Sequence, residues 1–294
     1  MTDRAKIANV RSIVEQKQSK GARRAVKQSR EMIPVGRGSA NSSRSSNQLR
    51  VTPDSVSLAD RHASELANME EARLFTDREL ELLGVVHPRL KNREMVDAMR
   101  QLRTKLYTLN PTENFSVMVC SVVPEGGGSF VATNLAATIA FDKAKTSLLV
   151  DANLNGDLMP RLLKLIGRQH ALGVSDYLEN PSVGIENIVS PSGIPRMRCV
   201  PMGHQPENSA EHFTSARYRQ MMNDIKSRYD NRFVVVDGPA LNQSTDARIL
   251  SDLCDYTVLV VPYGKVTPGT LDALVDEIDE SKLAGIVIND QPGS

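Results

Sequence analysis

A chain of 294 residues, 40% hydrophobic and 24% charged, can build one large domain with a tail, or two modest domains, around a sizeable core. No apolar run approaches the ~18 residues of a bilayer span, and no N-terminal apolar segment reads as a secretory leader, so a helical integral membrane protein is excluded and a cytoplasmic one expected. The net charge of +1 hides an asymmetry, because residues 1–50 hold 12 Lys+Arg against 3 Asp+Glu and leave the rest of the chain acidic.

Residues 1–60 begin with RSIVEQKQSKGARRAVKQS, which suits a short basic helix, and continue as GRGSANSSRSSNQLR. A stretch so rich in Ser, Arg, Asn and Gly cannot bury a core, so 1–60 reads as a basic, disordered arm. Such an arm is either a solvated tail or a contact for an anionic surface. Residues 61–110 read as a helical segment. The phrase ELELLGVVHP closes one helix at Gly84 and Pro88. NREMVDAMRQLRTKLYTL then brings Met95, Ala98, Leu102 and Leu106 onto one face.

From about residue 111 to 294, strand-like and helix-like segments alternate. The strand candidates are 115–121, 147–152, 197–203, 232–238, 256–264 and 283–290. Most are continuous apolar runs, as in strands covered on both faces. Helix candidates at 129–143, 157–166, 209–229, 244–253 and 268–281 separate them. This order predicts an α/β fold with a doubly wound, mostly parallel sheet flanked by helices. Cys120, Cys199 and Cys254 are widely spaced and read as buried free thiols in a reducing compartment. The five histidines lack metal-ligand spacing.

In such a sheet, ligands lie beyond the carboxyl ends of the strands. Three of those ends carry candidate groups. The first is the turn PEGGGS, where Gly126, Gly127 and Gly128 let backbone amides approach an anion and Ser129 opens a helix whose positive end favours phosphate. The others are Asp151, in LLVDANLNGDL, and Asp237, in FVVVDGPAL. Two carboxylates and the Ser129 hydroxyl suit a hard cation such as Mg²⁺.

The phrases SVVPEGGGSFVATNLA, SLLVDANLNGDLMPRLL, LGVSDYLEN, CVPMGHQPENSAEHF, FVVVDGPALNQSTDARILSDLCDYTVLVV and AGIVIND together carry a resemblance. From roughly Asp77 to Asn289 the chain resembles the bacterial tyrosine autokinases of capsular and exopolysaccharide biosynthesis. These are deviant-Walker P-loop NTPases related to cell-division and partitioning ATPases. The segment FTDRELELLGVVHPRLKNREMVDAMRQLRTKL looks like the variant linked to exosortase-type loci.

The resemblance implies ATP/ADP with Mg²⁺ as cofactor. It implies Gly126, Gly127, Gly128, Ser129, Phe130 and, at the base, Asn289 as the nucleotide contacts. Asp151 and Asp237 match the family's catalytic carboxylates, and with Ser129 they would hold the metal. Asp97, Arg100 and Arg103 match a Glu-x-x-Arg-x-x-Arg motif that joins subunits, with Asp in place of Glu. The implied partners are a membrane-embedded polysaccharide copolymerase or chain-length regulator, copies of the same chain, and an anionic membrane surface through the arm. Nucleic acid is not expected. The implied location is cytoplasmic, at the inner membrane.

The sequence also departs from the family. Gly128 stands where the loop lysine belongs, and Phe130 replaces a hydroxyl residue. Neither lysine of the family's loop is present, Asn153 replaces the second aspartate of an Asp-x-Asp pair, and the chain ends NDQPGS without a tyrosine cluster. A charge-assisted hydrogen bond contributes about 1.5–3 kcal/mol. Loss of the lysine therefore implies about 10–100-fold weaker nucleotide binding, and catalysis is expected to be impaired. Substitute charges are sought in Lys143 or Lys145, or in Arg100 or Arg103 of a neighbouring copy.

Overall fold

The computed structural model describes residues 74–111, 114–154, 156–180, 182–204, 216–227 and 232–289. The basic arm expected at 1–60 lies outside the described residues. Seven strands form one sheet in the order β3-β4-β2-β5-β1-β6-β7. They are β1 Ser116–Ser121, β2 Thr146–Asp151, β3 Ser190–Pro191, β4 Met197–Val200, β5 Arg232–Asp237, β6 Tyr256–Pro262 and β7 Leu283–Asn289. Every pairing is parallel except that of β3 with β4. The expected doubly wound sheet is therefore present. β1 sits between β5 and β6, and the loop that leaves its carboxyl end opens where the strand order reverses.

The helices among the described residues are α1 Asp77–Leu82, α2 Arg93–Leu109, α3 Gly128–Ala140, α4 Leu158–Leu165, α5 Val174–Glu179, α6 Ile185–Ile188, α7 Ala216–Ser227, α8 Thr245–Leu253 and α9 Pro268–Val275. Short polar signals start several of them. Thr76 and Glu79 close a capping box on α1, and Asn92 accepts from the Met95 amide at the start of α2. α3 is apolar almost all round because it is covered on both sides. One side packs on β1, β2 and β5 and the other on α2. Met95, Ala98, Leu102 and Leu106 form the buried stripe of α2, as the spacing predicts.

A buried asparagine locks the turn after α1 onto α3. The Asn134 side chain accepts from the Val86 amide at 2.6 Å. It also donates to the Gly84 and Phe130 carbonyls at 3.0 and 2.9 Å. At the opposite end of the sheet, Tyr107, Phe115, Phe233 and Tyr256 pack edge to face or tilted, with centroids 4.9–6.1 Å apart. The three cysteines are free and buried, and burial pushes each thiol up to about 12.

Several boundaries differ from the sequence expectation. The last helix ends at Val275 rather than 281, because Asp279 accepts from the amide and hydroxyl of Ser281 and forms a turn instead. α3 ends at Ala140 rather than 143, where the Asp142 carboxylate captures the Ala144 amide. The expected helix at 209–229 is described only over Ala216–Ser227. α5, α6 and β3 have no counterpart in the sequence reading, because each is too short to show a period. No helix among the described residues is long and apolar enough to cross a membrane.

Candidate functional site: a glycine cradle beside two buried carboxylates

The chain leaves β1 at Ser121 and turns into α3 through three glycines. The turn needs them. A Cβ on Gly126 would lie 1.9 Å from the Ser121 hydroxyl, and one on Gly127 2.1 Å from the Asn289 side-chain nitrogen. A Cβ on Gly128 would lie 2.9 Å from the backbone nitrogen of Ser121. Gly127 also takes a left-handed φ of 91°. Glu125 is left-handed too, at φ 55°, which costs a non-glycine residue about 1–3 kcal/mol. Gly127 is the N-cap of α3 and supplies no side-chain cap. The first-turn amides of a 13-residue helix are therefore left for an anion, at the positive end of its dipole.

The carboxylates stand beside this turn. Asp151 and Asp237 end adjacent parallel strands and are in register with one another. Both are buried. Burial raises the Asp151 carboxyl to about 7, against the pull of the Asn153 amide, which donates to it at 3.0 Å. Burial and the neighbouring Asp151 raise Asp237 well above the carboxylate range, although the Ser129 and Asn153 side chains donate to it. Asn153 also donates to the Ser129 hydroxyl at 3.2 Å. The Asn153 side chain is thus a donor that ties the end of β2 to the first turn of α3.

The remaining candidates divide. Asn289 holds the loop from below, its amide donating to the Gly126 carbonyl at 3.2 Å, and its side-chain oxygen is buried without a partner. Phe130 lends its backbone to α3, while its ring lies against Gly84; a Cβ there would be 3.3 Å from the ring. The Phe130 backbone lies in the first turn of α3, beside the glycine turn, and its ring faces away toward Gly84.

Within one chain, Lys143 and Lys145 do not reach the glycine loop. They follow the far end of α3, roughly 20 Å of helix away from the loop, and Lys145 lies over the Phe233 ring. Asp97 and Arg100 form an exposed i,i+3 pair at 3.8 Å. Arg103 instead turns inward, donating to the Thr138 carbonyl at 3.0 Å and lying over the Tyr107 ring. Sequence reasoning gave Asn134 no role. The signal available was an asparagine inside an otherwise apolar helix, which must find partners when buried.

No family model matches the chain. A tyrosine-protein kinase, CpsD, of Streptococcus agalactiae is 28% identical over 179 residues, covering 60% of this chain and 76% of the relative. The chain is a homologue of bacterial tyrosine-protein kinases. The tyrosine-protein kinase wzc of Salmonella typhimurium is 29% identical over 197 residues, and the match covers 66% of this chain but only 26% of that relative. Among solved structures, the kinase domain of the Escherichia coli tyrosine kinase ETK superposes with a TM-score of 0.62 at 22% identity, covering 78% of this chain and 94% of that domain. The BceF tyrosine kinase domain superposes with a TM-score of 0.58 at 24% identity, covering 81% and 97%. At that identity the superpositions establish the shared fold.

The site's chemistry suits a phosphate-bearing ligand with a divalent cation. The Ser129 hydroxyl and the Asp237 carboxylate, one oxygen of which is buried without a partner, offer hard oxygen ligands, with Asp151 behind them. The cradle amides offer donors for phosphate. The loop itself carries Glu125 and no cation.

Proposed function

We propose that the chain is a non-catalytic or weakly catalytic relative of the tyrosine kinases, acting in capsule or exopolysaccharide assembly. In this reading it keeps a nucleotide cradle and regulates a membrane-embedded copolymerase or chain-length protein from the cytoplasmic face. The observation that carries the reading is at position 128. Glycine stands where the resemblance expects the lysine, and a Cβ there would lie 2.9 Å from the backbone nitrogen of Ser121.

Phosphoryl transfer depends on positioning and on neutralising developing charge. The amides of the loop and the dipole of α3 bind and orient a polyphosphate. Ser129 and Asp237 seat a cation, and Asn153 holds Ser129 in place. Bound Mg²⁺ supplies the positive charge that the loop lacks. Removal of one preorganised electrostatic group costs about 10²–10³ in rate. The chain carries that loss together with a neutral amide at position 153.

An active ATP-dependent kinase is the second reading, favoured by the convergence of Ser129, Asp151 and Asp237. Self-association through the exposed Asp97 and Arg100, and contact of the basic arm with anionic lipid, belong to the proposal as further parts. The deciding experiment measures Mg²⁺-dependent ATP binding and turnover on the purified chain, with a tyrosine peptide as acceptor. Weak binding with no turnover at the ~1–100 s⁻¹ of ordinary kinases is expected. Turnover in that range would overturn the proposal in favour of the second reading.

A further inference from the structure

A cavity of about 510 Å³ lies between α2 and the turn that follows α3, remote from the glycine loop. Part of its wall is apolar, from Val86, Val96 and Phe141, and part is cationic, from Arg100, Arg103 and Lys143. Arg100 and Arg103 are neighbours on α2 at i,i+3 spacing. Asp142 is the one carboxylate in the lining, and it is engaged by the Ala144 amide. Among the described residues, the ion-pair partner of Arg100 is Asp97, at a loose 3.8 Å. Among the described residues, no carboxylate lies within ion-pair distance of Lys143.

Two residues in the lining carry buried nitrogens without hydrogen-bond partners. Arg103 answers the carbonyl end of α3 at Thr138 with one guanidinium nitrogen, and its Nε is buried without an acceptor. His87 is 2% exposed and neither ring nitrogen is hydrogen-bonded; the nearest carboxylates, Asp77 and Glu81, are 3.6 and 3.4 Å away. Buried donors beside a cavity ask for an acceptor. The volume is ample for a bare phosphate and falls in the ~300–1,000 Å³ range of small-ligand sites.

We propose that this cavity binds a phosphate monoester carried on an aromatic ring, the chemistry of a phosphotyrosyl side chain. The ring lies against Val86, Val96 and Phe141, and the phosphate meets Arg100, Arg103 and Lys143. Planar guanidinium groups suit phosphate oxygens and aromatic faces alike. The aryl phosphate follows from the cavity. The choice of phosphotyrosine as its source rests on the kinase-related function proposed above.

The test titrates the full chain with phenyl phosphate, a phosphotyrosine peptide, a phosphoserine peptide and inorganic phosphate, using calorimetry. Saturable binding of phenyl phosphate and the phosphotyrosine peptide is expected, at least about tenfold tighter than the other two. Arg100→Ala and Lys143→Glu, both at exposed positions, are each expected to weaken it about tenfold or more, and Lys143→Glu to leave Mg-ATP binding unchanged. Light scattering on each variant separates loss of a ligand from a change of assembly. Absence of phenyl phosphate binding, indifference to both substitutions, or displacement by Mg-ATP would each overturn the proposal. Turnover of ATP in the same protein would overturn the impaired-kinase reading and leave the cavity's result standing.

Discussion

The side-chain amide of Asn153 donates to the hydroxyl of Ser129 across 3.2 Å, so the end of β2 is tied to the first turn of α3. The same amide helps to hold the buried carboxyl of Asp237. Asn153→Asp would replace that donor by a third acidic group beside Asp151 and Asp237. In EDTA the variant is expected to lose about 2–4 kcal/mol, the order of a broken buried hydrogen bond plus like-charge repulsion. Millimolar Mg²⁺ should restore part of it. Asn153→Ala should lose about 1–3 kcal/mol and recover nothing with Mg²⁺. Urea unfolding with and without the cation checks both, and equal responses of the two variants would refute the bridging role.

A side chain at position 128 has little room. A Cβ at Gly128 would come 2.9 Å from the Ser121 nitrogen, and that neighbour is backbone, which cannot swing aside. Gly128→Ala is therefore expected to cost about 1–3 kcal/mol, as overpacking does. Gly128→Lys should cost about as much in the absence of nucleotide. The ammonium gained should show only as a partial recovery with Mg-ATP. A Gly128→Ala protein as stable as the parent, by urea midpoint, would mean that the loop has more room than its geometry gives it.

The carboxylate pair sets a pH dependence. Burial raises both Asp151 and Asp237 above the ordinary 3.8, Asp151 to about 7. A raised folded-state value means that the folded protein binds protons the unfolded chain has released. Stability from this pair is full below about pH 4 and is lost as pH climbs through 7. For Asp151 alone the span corresponds to roughly 4 kcal/mol as an upper bound. Thermal midpoints in EDTA should fall from pH 5 to pH 8, and Asp237→Asn should flatten the fall. His204 is also raised, by its hydrogen bond to Asp176 and the nearby Glu179, and has the same sign. It is half-exposed, so His204→Gln should change the profile little. A profile unchanged in Asp237→Asn would remove the pair as its source.

The sheet was legible because its strands are unbroken apolar runs between turn signals, and the glycine loop because three consecutive glycines after a strand have few other uses. What the sequence concealed is contact. Nothing in the order of residues around Phe130 places its ring against Gly84, 46 positions earlier. Arg100 and Arg103 look equivalent at i,i+3, but one is exposed beside Asp97 and the other turns inward, one guanidinium nitrogen on the Thr138 carbonyl. Lys143 and Lys145 are close to the glycine loop in sequence, and the length of α3 separates them from it. α5 and α6, of six and four residues, are shorter than the period that would betray them.

Asn134 gives the sharpest test of the fold around the loop. It fills three hydrogen bonds from a fully buried position, to Val86, Gly84 and Phe130. It thereby fixes the turn after α1 on the helix that begins at the glycine cradle. Asn134→Ala would leave the buried Val86 amide without an acceptor and open a small void. Each unsatisfied buried group costs about 1–3 kcal/mol, so a loss of about 3–4 kcal/mol is expected. Asn134→Asp keeps the acceptor for Val86 but sets a carboxylate against the Gly84 and Phe130 carbonyls, and should cost at least as much. Amide exchange would show the effect locally, with faster exchange at Val85 and Val86 than in the distant strand β4. Uniform loss of protection across the sheet would mean that Asn134 serves the core as a whole rather than this junction.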